Sequence, residues 1–172
     1  SRFIFAHPEL GFSEFESSAA TAGFLEKHGF SVEYGCADMK TAFRAVRHST
    51  LDKKGPVIGF LCEYDALPDI GHACGHNIIA AGSAGAAVAA ADFVDTFGGT
   101  IVVLGTPCEE GGGGKARLLK DGFMDDLDCA MMIHPGYKSM SRDIFTAISR
   151  FRITYHGKTA HASGEPQNGI NA

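Results

Sequence analysis

Two stretches that are apolar on both faces, PVIGFLC (56–62) and GTIVVLGTP (99–107), are separated by one long segment rich in alanine and glycine, NIIAAGSAGAAVAAADFV (77–94). A strand with no polar face belongs in the middle of a covered sheet. The intervening segment is helical by length and composition, and its small side chains let it lie close against that sheet. LDCAMMI (127–133) reads as a third buried strand, and SVEY (31–34) and TAFRAV (41–46) as shorter ones. Ser13 and Glu16 form a capping-box pair ahead of Phe15, Ala19, Ala22 and Leu25 at helical spacing, and Gly29 closes that helix. KARLLKDG (115–122) predicts a short helix ending at Gly122. Strands and helices alternating in this way imply an α/β fold, with a mixed, mostly parallel sheet flanked by helices. The character changes near residue 145. In SRFRITYHG (149–157), Phe151, Ile153 and Tyr155 alternate with polar partners, as in a half-exposed antiparallel strand. The expected division is therefore residues 1–145 and 146–172.

Composition narrows the function classes. The 172 residues suffice for one hydrophobic core, and 45% apolar with 20% charged residues is ordinary globular usage. A net charge of −5 leaves no basic footprint for nucleic acid or an anionic membrane surface. No continuous apolar run approaches the roughly 18–20 residues of a membrane span. Five cysteines (Cys36, Cys62, Cys74, Cys108, Cys129) lack paired spacing and suit a reducing compartment, which makes a cytoplasmic location the expectation. Cys62, Cys108 and Cys129 read as inert thiols of apolar strands.

The chemistry gathers at strand ends, where open α/β sheets carry their functional groups. PVIGFLC runs into Glu63 and Asp65, the second strand into Glu109, Glu110 and four glycines, and the third into His134. The turn GHACGHN (71–77) adds His72, Cys74 and His76. Thiolate, imidazole and carboxylate together suit a borderline divalent ion such as Zn²⁺, with Mn²⁺, Co²⁺ or Ni²⁺ also compatible. Successive side chains of an extended segment point opposite ways, so one glutamate of the pair can ligate while its neighbour faces substrate as a base. Glycines 111–114 free the backbone to approach a ligand, but the run lacks the ending of a phosphate-binding loop.

HPELGFSEFES, EYDALP, GHACGHN, GTPCEEGGGGK, MMIHPG and YHGKTAHAS, in that order, resemble the aminoacylase and glutamate-carboxypeptidase family of metallohydrolases across essentially all 172 residues. The likeness is greatest to its amidohydrolase branch, which includes hippurate, auxin-conjugate and aminobenzoyl-glutamate hydrolases and related dipeptidases. That resemblance implies a zinc-peptidase-like catalytic domain followed by the start of a smaller α+β lid domain. It implies Cys74, His76, Glu110 and His134 as metal ligands, and Glu109 as the general base that activates water. Asp65 takes a supporting place beside the metal site and His72 a supporting or structural one. His161, in the lid, helps hold the substrate carbonyl. Asn77, where aspartate is common in the branch, tilts the likeness toward the aminobenzoyl-glutamate hydrolase and dipeptidase subgroup. Cys108, where alanine is common, puts a further thiol near the metal.

The function so implied is metal-dependent hydrolysis of an amide or peptide bond in a small N-acyl amino acid or dipeptide. It uses two divalent ions per full-length subunit, and the lid is expected to form a homodimer. Family members are more than twice as long, so the chain reads as an N-terminal fragment, itself expected to be inactive and to bind metal weakly. The rival readings are a non-catalytic binding module of the same fold and a cysteine hydrolase built on Cys74 and His76. The second leaves Glu109 and Glu110 without a purpose.

Overall fold

Among the described residues, five strands join one sheet: β1 (Ser31–Tyr34), β2 (Phe43–His48), β3 (Val57–Cys62), β4 (Thr100–Gly105) and β5 (Cys129–Met131), in the order β1-β2-β4-β3-β5. β4 pairs in parallel with β3, and β3 with β5, while β2 runs antiparallel to both β1 and β4. Four strands therefore point one way and only β2 opposes them, which is the mixed, mostly parallel sheet expected. The computed structural model describes residues 1–51, 53–141 and 151–172.

β4 is central, and its side chains show it. Ile101 and Val103 join the core shared with the helices, while Val102 and Leu104 are equally buried on the opposite face. Burying side chains of this size is worth on the order of 1.5–3 kcal/mol each. Helix α1 (Arg2–Ala6) has no counterpart among the elements expected from the sequence. It is followed by α2 (Phe15–Lys27), α3 (His76–Phe97) and α4 (Gly114–Lys120). Ala80, Ala84, Ala87 and Ala91 form one buried stripe of α3, which packs on β3 and β4. At 22 residues α3 is, by length and composition, able to cross a membrane, which the absence of a continuous apolar run had concealed. Here that apolar content serves the core, since the small residues are the ones pressed against the sheet.

The end of α2 follows the sequence and its beginning does not. Gly29 takes φ +84°, and the Phe30 N–H reaches back to the Leu25 carbonyl at 3.1 Å, a Schellman close. At the other end, the Ser13–Glu16 capping box does not form. Glu9 reaches over instead, its carboxylate accepting the N–H of Glu16 at 2.9 Å and of Ser17 at 2.8 Å. A charged acceptor with two oxygens satisfies two orphan donors at once, where a serine hydroxyl satisfies one.

Two further elements differ from expectation, β5 and the strand expected over 149–157. β5 is an edge strand, and Cys129, Ala130 and Met131 are all exposed, so Cys129 is not a core thiol. Its apolar sequence resembles a buried strand, but among the described residues it pairs on one side only. The chain divides into the compact units Ser1–Tyr137 and Lys138–Ala172; the boundary expected between residues 145 and 146 lies outside the described residues. Of the strand expected over 149–157, residues 149 and 150 lie outside the described set. Residues 151–157 carry no ladder, and Phe151, Ile153 and Tyr155 are exposed. Alternation marks an apolar face, but a ladder needs a partner. The described part of this unit offers only the bridge Lys158–Ile170.

Candidate metal centre

Because β4, β3 and β5 are parallel neighbours, the residues after their carboxyl ends share one edge of the sheet. β3 in the middle delivers Glu63 and Asp65, β4 the Glu109–Glu110 turn, and β5 His134. The GHACGHN turn leads into α3, whose first residue is His76. His76 is the hub. Its Nδ1 lies 2.9 Å from the Asp65 carbonyl oxygen and 3.0 Å from Asp65 Oδ1, both acceptors, so Nδ1 carries the proton. In the neutral ring Nε2 is then the lone-pair atom, and it is buried and without a hydrogen bond. Around it stand Glu63 Oε2 at 3.2 Å, Glu109 Oε2 at 3.8 Å and Glu110 Oε1 at 3.8 Å. The His134 ring crosses that of His76 edge-on, with centroids 5.9 Å apart. His134 Nδ1 donates to the Pro135 carbonyl at 2.8 Å, which again leaves Nε2 as the free donor atom.

Donor atoms of Cys74, His76 and Glu110 lie within 4.8 Å of one another, and so do those of Glu63, His76 and His134. All four expected ligands are thus brought together. Asp65, buried, accepts the His76 proton with one oxygen and the Glu110 backbone N–H with the other at 3.0 Å. The resemblance implies a supporting carboxylate at this position, and these two bonds are the contacts that role calls for.

Glu109 and Glu110 do not leave an extended strand. Cys108 takes φ +54° and both glutamates sit in a turn, so their carboxylates converge on His76 rather than pointing opposite ways. The bend is clamped from a distance. Glu14, fully buried, accepts the Cys108 N–H at 2.8 Å with one oxygen and the Thr41 hydroxyl at 2.8 Å with the other. Desolvation raises the Glu14 pKa, opposed by the hydrogen bonds it accepts. Cys108 is buried with its sulfur against Gly11 and Gly112, and it belongs to neither donor group.

The glycine run also serves the chain rather than a ligand. A Cβ on Gly112 would strike Phe12 and Cys108, and one on Gly114 would strike the Pro107 carbonyl. Gly75, by contrast, is required by the site. It takes φ +77°, and a Cβ there would come within 2.9 Å of Pro135 Cγ, the residue beside His134. Gly75→Ala should cost about 2–3 kcal/mol in urea unfolding, from the left-handed backbone plus the collision. It should also weaken zinc binding at least about 10-fold by pushing His134 away from His76. Unchanged affinity in a competition titration would show that this contact does not set the spacing.

The local field is that of a cation site. A hydrogen bond to the Glu110 carboxylate, then burial and the neighbouring acids, push the Cys74 thiol up to about 11. A divalent ion reverses that pressure and takes the thiolate. Burial lowers the His76 pKa, but the Asp65 hydrogen bond and the charges of Asp65 and Glu63 outweigh it, and the net shift is upward. Burial also raises Asp65, yet the bonds from His76 and the Glu110 backbone prevail and hold it below the usual carboxylate value. His72 is buried and its pKa is lowered, chiefly by desolvation; it joins neither donor group. A thiol, two imidazoles and carboxylates, with buried donor atoms aimed inward, fit a zinc-type ion.

Sequence reasoning gave no role to Glu63, Lys115, Glu9 or Glu14. Lys115 makes an ion pair with buried Glu63. The signal available was position alone, Glu63 being the first residue past a buried strand. His161 lies in the second unit, exposed, its Nδ1 accepting the Gly164 N–H at 3.0 Å, which leaves Nε2–H as a donor. Asn77 is buried and donates to Ser1 Oγ at 3.1 Å.

A family model for peptidase family M20/M25/M40 matches residues 59–165, from β3 through the site into the second unit. The chain belongs to the M20/M25/M40 peptidase family. Among M20 relatives, the human Xaa-Arg dipeptidase is 36% identical over 186 residues, covering 100% of this chain and 43% of its own length. A p-aminobenzoyl-glutamate hydrolase polypeptide of Escherichia coli is 33% identical over 98% of this chain and 38% of its own. A Bacillus subtilis structure described as a dinuclear metal binding peptidase of the M20 family superposes with TM-score 0.65 at 26% identity, over 75% of this chain and 39% of that one. The chain therefore spans less than half the length of these M20 relatives.

Proposed function

We propose that the protein is a metal-dependent hydrolase of the amide or peptide bond in dipeptides or N-acyl amino acids. The observation that carries this reading is the state of His76. Its Nδ1 proton is committed to Asp65, and its bare, buried Nε2 faces an S, N and O donor set. Cys74, His76, Glu110 and His134 hold the metal, with Zn²⁺ the first candidate, and the dinuclear relative supports two ions. When bound, the ions polarise the scissile carbonyl and acidify a water. Glu109, more exposed than Glu110, takes the proton of the attacking water and passes it to the leaving amine. His161 offers its Nε2–H to the carbonyl oxygen, whose charge grows as the bond breaks. Dimerisation through the second unit is part of the proposal. So is a reducing, cytoplasmic setting, which five free cysteines support.

The substrates to try first are Xaa-Arg dipeptides and aminobenzoyl-glutamate, after the names of the relatives, and N-acyl amino acids as the wider class. The protein in its natural length should hydrolyse one of these classes, lose the activity to a chelator and regain it with Zn²⁺, Mn²⁺ or Co²⁺. Activity that survives chelation but falls to a thiol alkylating agent would replace this reading with a cysteine hydrolase.

A further inference from the structure

Glu63 is the buried group that the mechanism above leaves without a task. It follows β3 directly and is 1% exposed. Lys115, from the first turn of α4, pairs with Oε1. That contact turns Oε2 inward, where it makes no hydrogen bond and stands 3.2 Å from His76 Nε2, which makes none either. Two buried atoms capable of ligating a metal therefore stand at contact distance, each without a hydrogen bond, as two ligands of one cation would. Two donors bound to one ion at about 2.0–2.2 Å are roughly 2.8–3.6 Å apart, for angles from octahedral to tetrahedral. The separation found falls in that range. His134 supplies a third donor within 4.8 Å of both.

We propose that Glu63, oriented by Lys115, is itself a metal ligand, sharing one ion with His76 and His134; this rests on the metal-hydrolase reading above. His76 Nε2 has one lone pair and serves one ion, so Cys74 and Glu110 belong to the other. Lys115 offsets the desolvation of the Glu63 charge and selects the oxygen that faces the metal.

The test is Co²⁺ titration of the natural-length apoprotein, read by visible absorption and by competition with a chelator. Losing Glu63 alone would strand the Lys115 charge beside the site, so the informative variant is the charge-neutral double, Glu63→Gln with Lys115→Met. Supporting parts of a metal site are worth roughly 10–100-fold in affinity, so removal of a ligand should weaken one of the two ions by more than about 100-fold and alter its Co²⁺ spectrum. Lys115→Met alone should stay within about 10-fold of wild type. If the double variant fails to fold, Glu63→Asp keeps the charge pair but withdraws the oxygen by one methylene, and it should still shift the spectrum. Wild-type affinity and spectrum in the double variant, or an unchanged spectrum in Glu63→Asp, would overturn the ligand role and leave the hydrolase reading standing. Failure of the wild-type protein to bind Co²⁺ would overturn both.

Discussion

Glu109→Gln should lower turnover by about 10²–10⁴-fold, the usual contribution of a general base, while metal content stays at the wild-type value. In barrier terms that is roughly 2.7–5.5 kcal/mol. Glu110→Gln should instead lose metal, and part of its activity should return with excess Zn²⁺. Distance to His76 does not sort the two carboxylates, since both stand 3.8 Å from Nε2. Surroundings do. The Glu110 side chain is 24% exposed and grouped with Cys74 and His76, whereas that of Glu109 is 41% exposed and outside both donor groups. A base has to meet water and substrate, and a ligand has to meet the ion. Metal analysis of the purified variants beside their steady-state rates decides the matter. Equal metal loss in both would mean that the turn presents two ligands and that the base lies elsewhere.

Asp65→Ala should weaken zinc binding by an amount toward the lower end of the roughly 10–100-fold typical of groups that orient a metal-binding histidine. The lower end is expected because the residue 65 carbonyl, 2.9 Å from His76 Nδ1, survives the substitution and still holds the ring. Stability should also fall, by about 2–4 kcal/mol, since the Glu110 N–H is left without its acceptor and a buried side chain is removed. Asp65→Asn should lie between, because its carboxamide oxygen can serve only one of the two donors while its NH₂ meets the other. Chelator competition and urea unfolding measure the two effects separately. Affinity within twofold of wild type in Asp65→Ala would show that the backbone contact alone orients His76.

The strands, the long helix and the edge of the sheet that carries the chemistry were legible from residue order. A run such as GTIVVLGTP has no polar face to expose, and the alanine stripe of 77–94 suits only a close neighbour. Any parallel arrangement of the three strands puts Glu63–Asp65, Glu109–Glu110 and His134 at one end, which gathers the candidate groups; the choice of Cys74, His76, Glu110 and His134 among them came from the family resemblance. What periodicity could not carry was every contact made by residues distant in sequence. The Ser13–Glu16 box is a valid local signal, but Glu9 offers two charged acceptors to the same helix end and displaces it. The bend that aims Glu109 and Glu110 together is held by Glu14, 94 residues before the Cys108 N–H it accepts. Whether a strand is buried or at an edge, as for β5, depends on neighbours that its own sequence does not encode. Glu63 is the sharpest instance. Its place after β3 was visible, but the pairing with Lys115 and the approach to His76 arise only when α4 and α3 close over the end of that strand. Local order sets which groups arrive at the edge of the sheet, and long-range packing sets which way their atoms face.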